Sequence, residues 1–249
     1  MAPAYPAAHV LTGCGKMQSV AFATIAELWR YPVKGMRGER LLSLAVDAHG
    51  MADDRRYAIQ SSGAPHGKPM LSGAERAAML LYTASGAGAE TFVTTPAGSR
   101  FHVDDPALLQ HMAAALPGGH QLSLVRSAKP LTDVRPIAVL GTGTVAQLER
   151  ELGRPVDARR FRANILLHLP EGFAEDTLAG QKILLGKSAV LHVTERDPRC
   201  RIVTLDPATA AADPTLMKHL DRAHGGCVGV YATVVRTGSL HVGDAVALA

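Results

Sequence analysis

Aromatic residues are scarce in this chain. They make up 4% of 249 residues, with a single tryptophan, so the core must be built from aliphatic side chains. Cysteine is almost as rare: there are three, widely spaced. That excludes a disulfide framework and a four-cysteine iron–sulfur centre, and it fits a reducing, cytoplasmic setting. No run approaches the roughly 18 apolar residues of a membrane-spanning helix, so no membrane role is expected. A large excess of one charge sign is also missing. Lys and Arg number 26 against 22 Asp and Glu, a net charge of +4. Nucleic-acid binders concentrate basic residues on one face or interleave them with aromatics, and here the arginines are dispersed through loops. They suit a small anionic ligand better than a polymer, although ordinary solubility charge explains them equally.

What is present is a succession of short strands. Ile25 to Tyr31 is a β-type apolar run. Leu42, Leu44 and Val46 alternate with Ser43, Ala45 and Asp47, the period of a half-buried strand. Further strands are expected at 56–59, 90–95, 122–126, 164–169, 183–185, 189–194, 201–205, 228–236 and 240–248, with Gly and Pro breakers between them. Two helices carry start and stop signals. One opens on a capping box, Thr144 to Gln147, and stops at Gly153; the other runs from Asp213-Pro214 to Gly225. The stretch up to Lys16 is rich in Ala, Pro and Gly without periodicity and is expected to be disordered, with Met17 a plausible start. Leu11-Thr12-Gly13-Cys14 lacks the flanks of a lipoprotein cleavage site. A domain boundary is expected near Pro117-Gly118-Gly119 or within 128–136.

Cys200 is the most informative residue. It lies between Arg199 and Arg201, with Arg196 nearby, after the turn Asp197-Pro198. Neighbouring cations favour thiolate, which is both nucleophile and soft-metal ligand. An inert surface-loop cysteine would look the same locally. Other motifs fall away. Gly186-Lys187-Ser188 resembles the end of a phosphate-binding loop, but position 181 is Gln181, so a hairpin turn is expected. His192, Cys200, His219, His224 and Cys227 have no zinc-motif spacing. Cys227 reads as a small buried hydrophobe at a strand entry.

Three segments taken together say more. Tyr31-Pro32-Val33-Lys34-Gly35 is followed by His49-Gly50-Met51 and Asp53-Asp54-Arg55-Arg56-Tyr57. Arg160-Phe161-Arg162-Ala163-Asn164 comes next, then Arg199-Cys200 with Thr204 and Asp206-Pro207. Their order and spacing resemble the family carrying the C-terminal domain of molybdenum cofactor sulfurases, the MOSC domain, preceded by its N-terminal β-barrel domain. The match runs from about Ile25 to Leu248 and is similar to the amidoxime-reducing component family. The resemblance implies a β-rich α+β fold of two packed β-barrel-like domains with a few helices. It divides the chain into an extension at 1–20, an N-terminal barrel domain at 21–127 and a MOSC domain at 128–249.

The resemblance also implies molybdenum cofactor (molybdopterin) held by one cysteine thiolate, Cys200, and by cations on the pterin phosphate, at positions matching Lys34, Arg55 and Arg162. Asn164 and Thr142 match polar positions on the cofactor side. At family level it extends to pyridoxal phosphate binding. A phosphate monoester calls for charge-assisted donors, and molybdenum accepts soft sulfur. Each position has a plainer reading. Lys34 could be solvated, Arg56 rather than Arg55 would be structural, and Arg160, Arg162 and Asn164, in phase on one extended face, could pair with Asp133 or Asp157. Capping alone would explain Thr144.

Three departures stand out: Gly35 where many members have a polar residue or cysteine, Asp197 where many have a first cysteine, and Ala163 where a proline is usual. The second removes any paired-thiol mechanism at this loop. The expected function is a molybdenum-dependent oxidoreductase. It would reduce a small N-hydroxylated substrate with separate electron-donor proteins, because the chain lacks cysteines for its own cluster. The alternatives are sulfur transfer through a Cys200 persulfide loaded by a cysteine desulfurase, and a non-catalytic cofactor carrier.

Overall fold

The computed structural model describes residues 9–11, 17–64, 67, 69–115 and 120–249. Seven strands close into a barrel: β1 (Ala21–Arg30), β2 (Ile137–Gly141), β3 (Ile165–His168), β4 (Lys182–Leu185), β5 (Ala189–Pro198), β6 (Cys227–Arg236) and β7 (Ala245–Leu248). Around the barrel the order is β1-β3-β2-β6-β5-β4-β7, returning to β1. Only the β2–β3 pair is parallel, and helix α2 (Thr142–Leu152) lies in that crossover, as parallel pairing requires. Strand β1 comes from the N-terminal part of the chain, yet it seals the barrel formed by residues 137–248. It pairs Leu28 with Ile165 on one side and Thr24 with Ala245 on the other. The two halves are therefore interlocked, not merely abutted. Strand Gly238–His241 reinforces this by pairing with Ser43–Asp47.

Alternation along the strands sorts side chains between two cores. Ile137, Val139, Ile165, Leu167, Val230 and Ala232 point into the barrel. Ala138, Leu140, Leu166 and Val228, out of phase with them, pack outward against α2 and α3 (Pro214–Ala223) through Leu148, Leu216 and Leu220. A third core, built on Val33, Tyr57, Ile59, Met79, Val93 and Met112, serves the remaining N-terminal region. That region carries the sheet 83–85, 92–94 and 100–102, the antiparallel pair 57–61 and 122–126, and α1 (Pro106–Ala115). The cores are aliphatic, as the shortage of aromatics requires. Each fully buried Leu or Ile contributes roughly 1.5–3 kcal/mol by leaving water.

The β-rich α+β class expected from sequence is the class observed. Local expectations fared unevenly. Gly153 ends α2 in the left-handed conformation at φ 63°. Asp213 caps α3, accepting from the Thr215 amide, with Pro214 in the first turn. Gly186 to Ser188 form the turn between β4 and β5. The capping box at Thr144 does not open α2, which begins at Thr142. The Thr144 hydroxyl is turned inward, donating to Glu175 Oε2 and accepting from the Phe173 amide, both at 2.7 Å. Residues 201–204 are a short 3-10 helix instead of a strand. Helix α1 went unread. Cys227 is half-buried, not part of a core. Within the extension, His9–Leu11 pairs with Met17–Ser19, which aperiodic sequence did not suggest. The rest of that extension, and the boundary at Pro117 to Gly119, lie outside the described residues. No helix among the described residues is long and apolar enough to cross a membrane.

Candidate functional site

One cleft gathers residues from both halves. It is lined by Lys34 and Gly35, Arg55, the irregular segment 131–135, Phe161 and Arg162, Asp197 to Cys200, and Tyr231. Four of the six residues singled out from sequence therefore line it directly: Lys34, Arg55, Arg162 and Cys200. Asn164 and Thr142 do not.

The cationic wall is built on Tyr31. Its ring is 3% exposed, its amide donates to Asp54 Oδ1 at 2.7 Å, and its hydroxyl donates to the Ala163 carbonyl at 3.2 Å. Two guanidinium groups rest over that ring, Arg162 at 4.4 Å and Arg55 at 4.9 Å from its centre. Both arginines sit in the left-handed backbone region, at φ 52° and 49°. Such a conformation costs a non-glycine residue on the order of 1 kcal/mol or more and concentrates at functional sites.

Arg55 spends its donors on the protein: Nη1 on Asp54 and Asn164 Oδ1, and Nη2 on the Arg162 carbonyl. It therefore contributes charge and fixes the Arg162 backbone. Arg162 donates through Nη1 to the Met36 carbonyl at 2.8 Å. Among the described residues no other hydrogen bond or ion pair engages its guanidinium, leaving donors for an anion. Burial, helped by the Arg55 charge, lowers the Arg162 pKa to about 10, and a negative charge on Cys200 acts against that shift. Arg162 thus stays cationic at neutral pH. Burial raises the Tyr31 phenol to about 12 against the opposing pull of the two arginines. Lys34 sits nearer solvent, 2.5 Å from Asp133 Oδ1.

The second wall follows β5. Asp197 is 1% exposed, with Oδ2 2.8 Å from Arg199 Nη1. Burial pushes its carboxyl up to about 6, more than the Arg199 charge pulls it down, and neither carboxylate oxygen has a hydrogen-bond partner among the described residues. Tyr231 is pushed up in turn by burial and by the Asp197 charge. Cys200 follows as an exposed thiol at the start of the 3-10 helix 201–204. The three arginines next to it in sequence are occupied elsewhere. Arg199 donates to the carbonyls of Val228 and Phe161, Arg196 pairs with Asp176, and Arg201 reaches the Ala74 carbonyl. Arg162, which lines the same cleft, is left with spare donors facing it.

Several sequence expectations are corrected by this geometry. Residues 158–161 form a 3-10 helix, so Arg160, Arg162 and Asn164 do not share an extended face. Arg160 turns away to the Val203 carbonyl and Asp206. Asn164 is fully buried: its Oδ1 accepts from the Ala138 amide and Arg55, and its Nδ2 donates to the Trp29 carbonyl. It meets the cleft only through Arg55. Thr142 lies at the start of α2, donating to the Leu169 carbonyl. The choice of Arg55 over Arg56 agrees with the structure, in which Arg56 pairs with Asp47. Asp133 pairs with Lys34, and Asp157 takes Arg159 rather than Arg160 or Arg162. Gly35 has a backbone reason: at φ 82° a side chain would be strained, and an added Cβ would stand 3.0 Å from Ser72 Cα. Sequence reasoning missed Tyr31, Asp54, Arg199 and Tyr231 as parts of the site. Tyr31, Asp54 and Arg199 stood inside quoted motifs without being assigned to the site, and nothing marked Tyr231.

Comparisons with known proteins agree with the architecture. The model for the MOSC domain matches residues 127–247, and that for the MOSC N-terminal β-barrel domain matches 22–103. The chain is 28% identical over 127 residues to the mitochondrial amidoxime reducing component 2 of Bos taurus, and 29% identical to that of Rattus norvegicus. Each alignment covers 46% of this chain and 37% of the relative, so the chain spans little more than a third of their length. Among solved structures, the YUAD protein from Bacillus subtilis has a similar fold, with TM-score 0.51 and 16% identity over 91% of this chain and 94% of that one. With both domain models matched in order along most of its length, the chain belongs to the MOSC-domain family.

Proposed function

We propose that the cleft holds a molybdenum–pterin cofactor and that the protein is an oxidoreductase acting on a small N-hydroxylated substrate. One observation carries this reading. An exposed thiol, Cys200, shares a cleft with the half-buried Arg162 guanidinium, whose donors are largely unspent. A soft ligand for a metal and a preorganised cation for a phosphate are the two groups such a cofactor needs. The donor set therefore fits: Cys200 ligates, Arg162 binds phosphate with Lys34 at the rim, and Arg55 and Tyr31 hold Arg162 in place. Bound there, the cofactor supplies two-electron redox chemistry and an open position at the metal.

The chain's own residues account for the rest. Reducing R–NH–OH breaks the N–O bond, consumes two electrons and two protons, and releases R–NH2 and water. Asp197, with its carboxyl near pKa 6 and beside the Tyr231 phenol, is placed to hand over a proton close to neutral pH. Arg199 holds that carboxylate in position between turnovers. Electrons come from separate donor proteins, so NADH alone is expected to support no turnover.

The test is metal and pterin content after production in a host that makes molybdenum cofactor. The expected result is close to one molybdenum per chain, absent from folded Cys200→Ala. Absence of molybdenum and pterin from the wild type would overturn the reading. Mass spectrometry showing added sulfur on Cys200 after treatment with a cysteine desulfurase would then favour sulfur transfer. Tight cofactor binding with no reduction of any N-hydroxylated compound would favour a carrier.

A further inference from the structure

We infer that Glu151, His219 and His224 form a binding site for a divalent cation of the zinc class, bridging α2 and α3 away from the cleft. None of the three lines the cleft. Their ligand atoms all lie within 4.8 Å of one another. Both imidazole Nε2 atoms sit 2.7 Å from the same carboxylate oxygen, Glu151 Oε2. In the metal-free state each ring places a proton toward that oxygen, and a cation would replace both protons at once. Tetrahedral zinc, with bonds of about 2.0–2.1 Å, separates its ligand atoms by about 3.3 Å. The two N···O contacts of 2.7 Å need to open by about 0.6 Å, and the two imidazole nitrogens, within 4.8 Å of each other, need to settle at the same spacing, changes that side-chain rotation supplies.

The surroundings orient the ligands as metal sites require. Gln147 Nε2 donates to Glu151 Oε1 at 2.7 Å, directing Oε2 at the histidines. The His224 ring stacks on Phe173 with centres 4.0 Å apart and planes 16° apart, which fixes its orientation. The backbone beneath it is pinned as well: the His224 amide donates to the Leu220 carbonyl, and its own carbonyl accepts from Arg196. All three side chains are partly exposed, at 12–26%, so an ion can enter and a water can complete the coordination. Two imidazoles and one carboxylate form a borderline donor set that suits zinc and disfavours magnesium or calcium.

The spacing of these residues hid the site. His219 and His224 lie on and just beyond α3, and the third ligand comes from α2 across the helical layer. His192, Cys200 and Cys227 take no part. The consequence of binding is mechanical. Helix α3 packs against the 3-10 helix 201–204, and the Asp213 amide at its start donates to the Thr204 carbonyl. A cation locking α2 to α3 would brace the segment that begins at Cys200.

The experiment uses tag-free full chain stripped with chelator and titrated with Zn2+ against a chromophoric competitor. Co2+ serves as a spectroscopic stand-in. The expected result is one Zn2+ per chain and an intense visible Co2+ spectrum of low coordination number. Thermal midpoint should rise by several degrees with Zn2+. All three signals should vanish in His219→Ala, His224→Ala and Glu151→Gln, each checked for folding by near-ultraviolet circular dichroism, and persist in Cys200→Ala. Zinc uptake equal in wild type and the histidine variants, or uptake lost only in Cys200→Ala, would overturn the proposal. So would the absence of uptake by folded wild type. None of these readouts depends on molybdenum, so the outcome is independent of the cofactor reading.

Discussion

The two walls of the cleft solve opposite problems with charge. On one wall, Arg55 is paired with the buried Asp54, while Arg162 has no carboxylate partner among the described residues and leans on a backbone carbonyl and an aromatic face. On the other, Asp197 is a carboxylate shut away from water, with its charge only partly offset by Arg199. The first wall keeps its charge and is poised to bind an anion. The second gives its charge up readily and is poised to move a proton. A cleft with one fixed charge and one labile charge suits a bound anionic group that undergoes proton-coupled chemistry.

The largest expected effect breaks the cationic wall. Arg162→Ala removes a half-buried guanidinium with spare donors among the described residues of the cleft, and charge-assisted hydrogen bonds are each worth roughly 1.5–3 kcal/mol. Cofactor content should fall at least tenfold, measured as molybdenum and pterin per chain, while Arg162→Lys should recover part of it through charge alone. Equal content in all three proteins would show that this wall does not hold the cofactor.

The second effect inverts the sign. The Asp197 carboxyl rises from 3.8 in the unfolded chain to about 6 in the fold. The folded state therefore binds the proton more tightly, so this group's contribution is most favourable below about pH 4. It is lost as pH climbs through 6, leaving a penalty on the order of 2 kcal/mol at neutral pH. Asp197→Asn removes the titrating charge with little change of shape. Its thermal midpoint should exceed that of the wild type at pH 7.5, and the difference should shrink away by pH 4. Activity should fall in the same variant if Asp197 delivers a proton. A variant less stable than the wild type at pH 7.5 would mean that the Arg199 ion pair outweighs burial.

Much of the first wall was legible in sequence and much of the second was not, for a physical reason. Lys34, Arg55 and Arg162 stand in short motifs that could be read together, and all three line the one cleft. Strand periodicity was legible at Leu44 and Val46 of Ser43–Asp47, but Leu42, assigned to the same face, lies outside that strand and is 80% exposed. The reading failed where left-handed residues redirect the chain. A phase argument over residues 160–164 assumes extended backbone, and a 3-10 turn ending at Arg162 rotates each side chain elsewhere. It failed again at Asn164, whose polarity serves the Ala138 amide and the Trp29 carbonyl instead of a ligand. Tyr231 was invisible because it reaches the cleft by tertiary pairing alone: β6 lies beside β5, with Tyr231 opposite Glu195. The closure of the barrel by β1 was equally beyond reach, since no local signal tells a strand which distant partner will take it.

A smaller effect tests whether Tyr31 is a brace or only a filler. Tyr31→Phe keeps the ring under both guanidinium groups and removes the hydroxyl that reaches the Ala163 carbonyl. Losing one buried hydrogen bond should cost about 1 kcal/mol by denaturant titration, with cofactor content nearly unchanged. Tyr31→Leu removes the π face as well and should lower cofactor content, because Arg162 loses the surface that aims it. Similar content in both variants would mean that the Met36 carbonyl and the left-handed backbone suffice to position Arg162.

The smallest effect is at the rim. Lys34 Nζ meets Asp133, whose side chain is 82% exposed, and such pairs contribute about 0–1 kcal/mol in water. Lys34→Ala should therefore leave stability within about 0.5 kcal/mol of the wild type. If Lys34 helps to hold an anion, the same change should weaken cofactor retention at low ionic strength more than at high, because the Lys34 side chain, itself 14% exposed, is paired with the largely exposed Asp133, where salt screens the charge. Arg162→Ala should show the opposite pattern, a loss nearly independent of salt. Matching salt dependence in the two variants would place Arg162 in a solvated setting and erase the distinction between the rim and the inner wall.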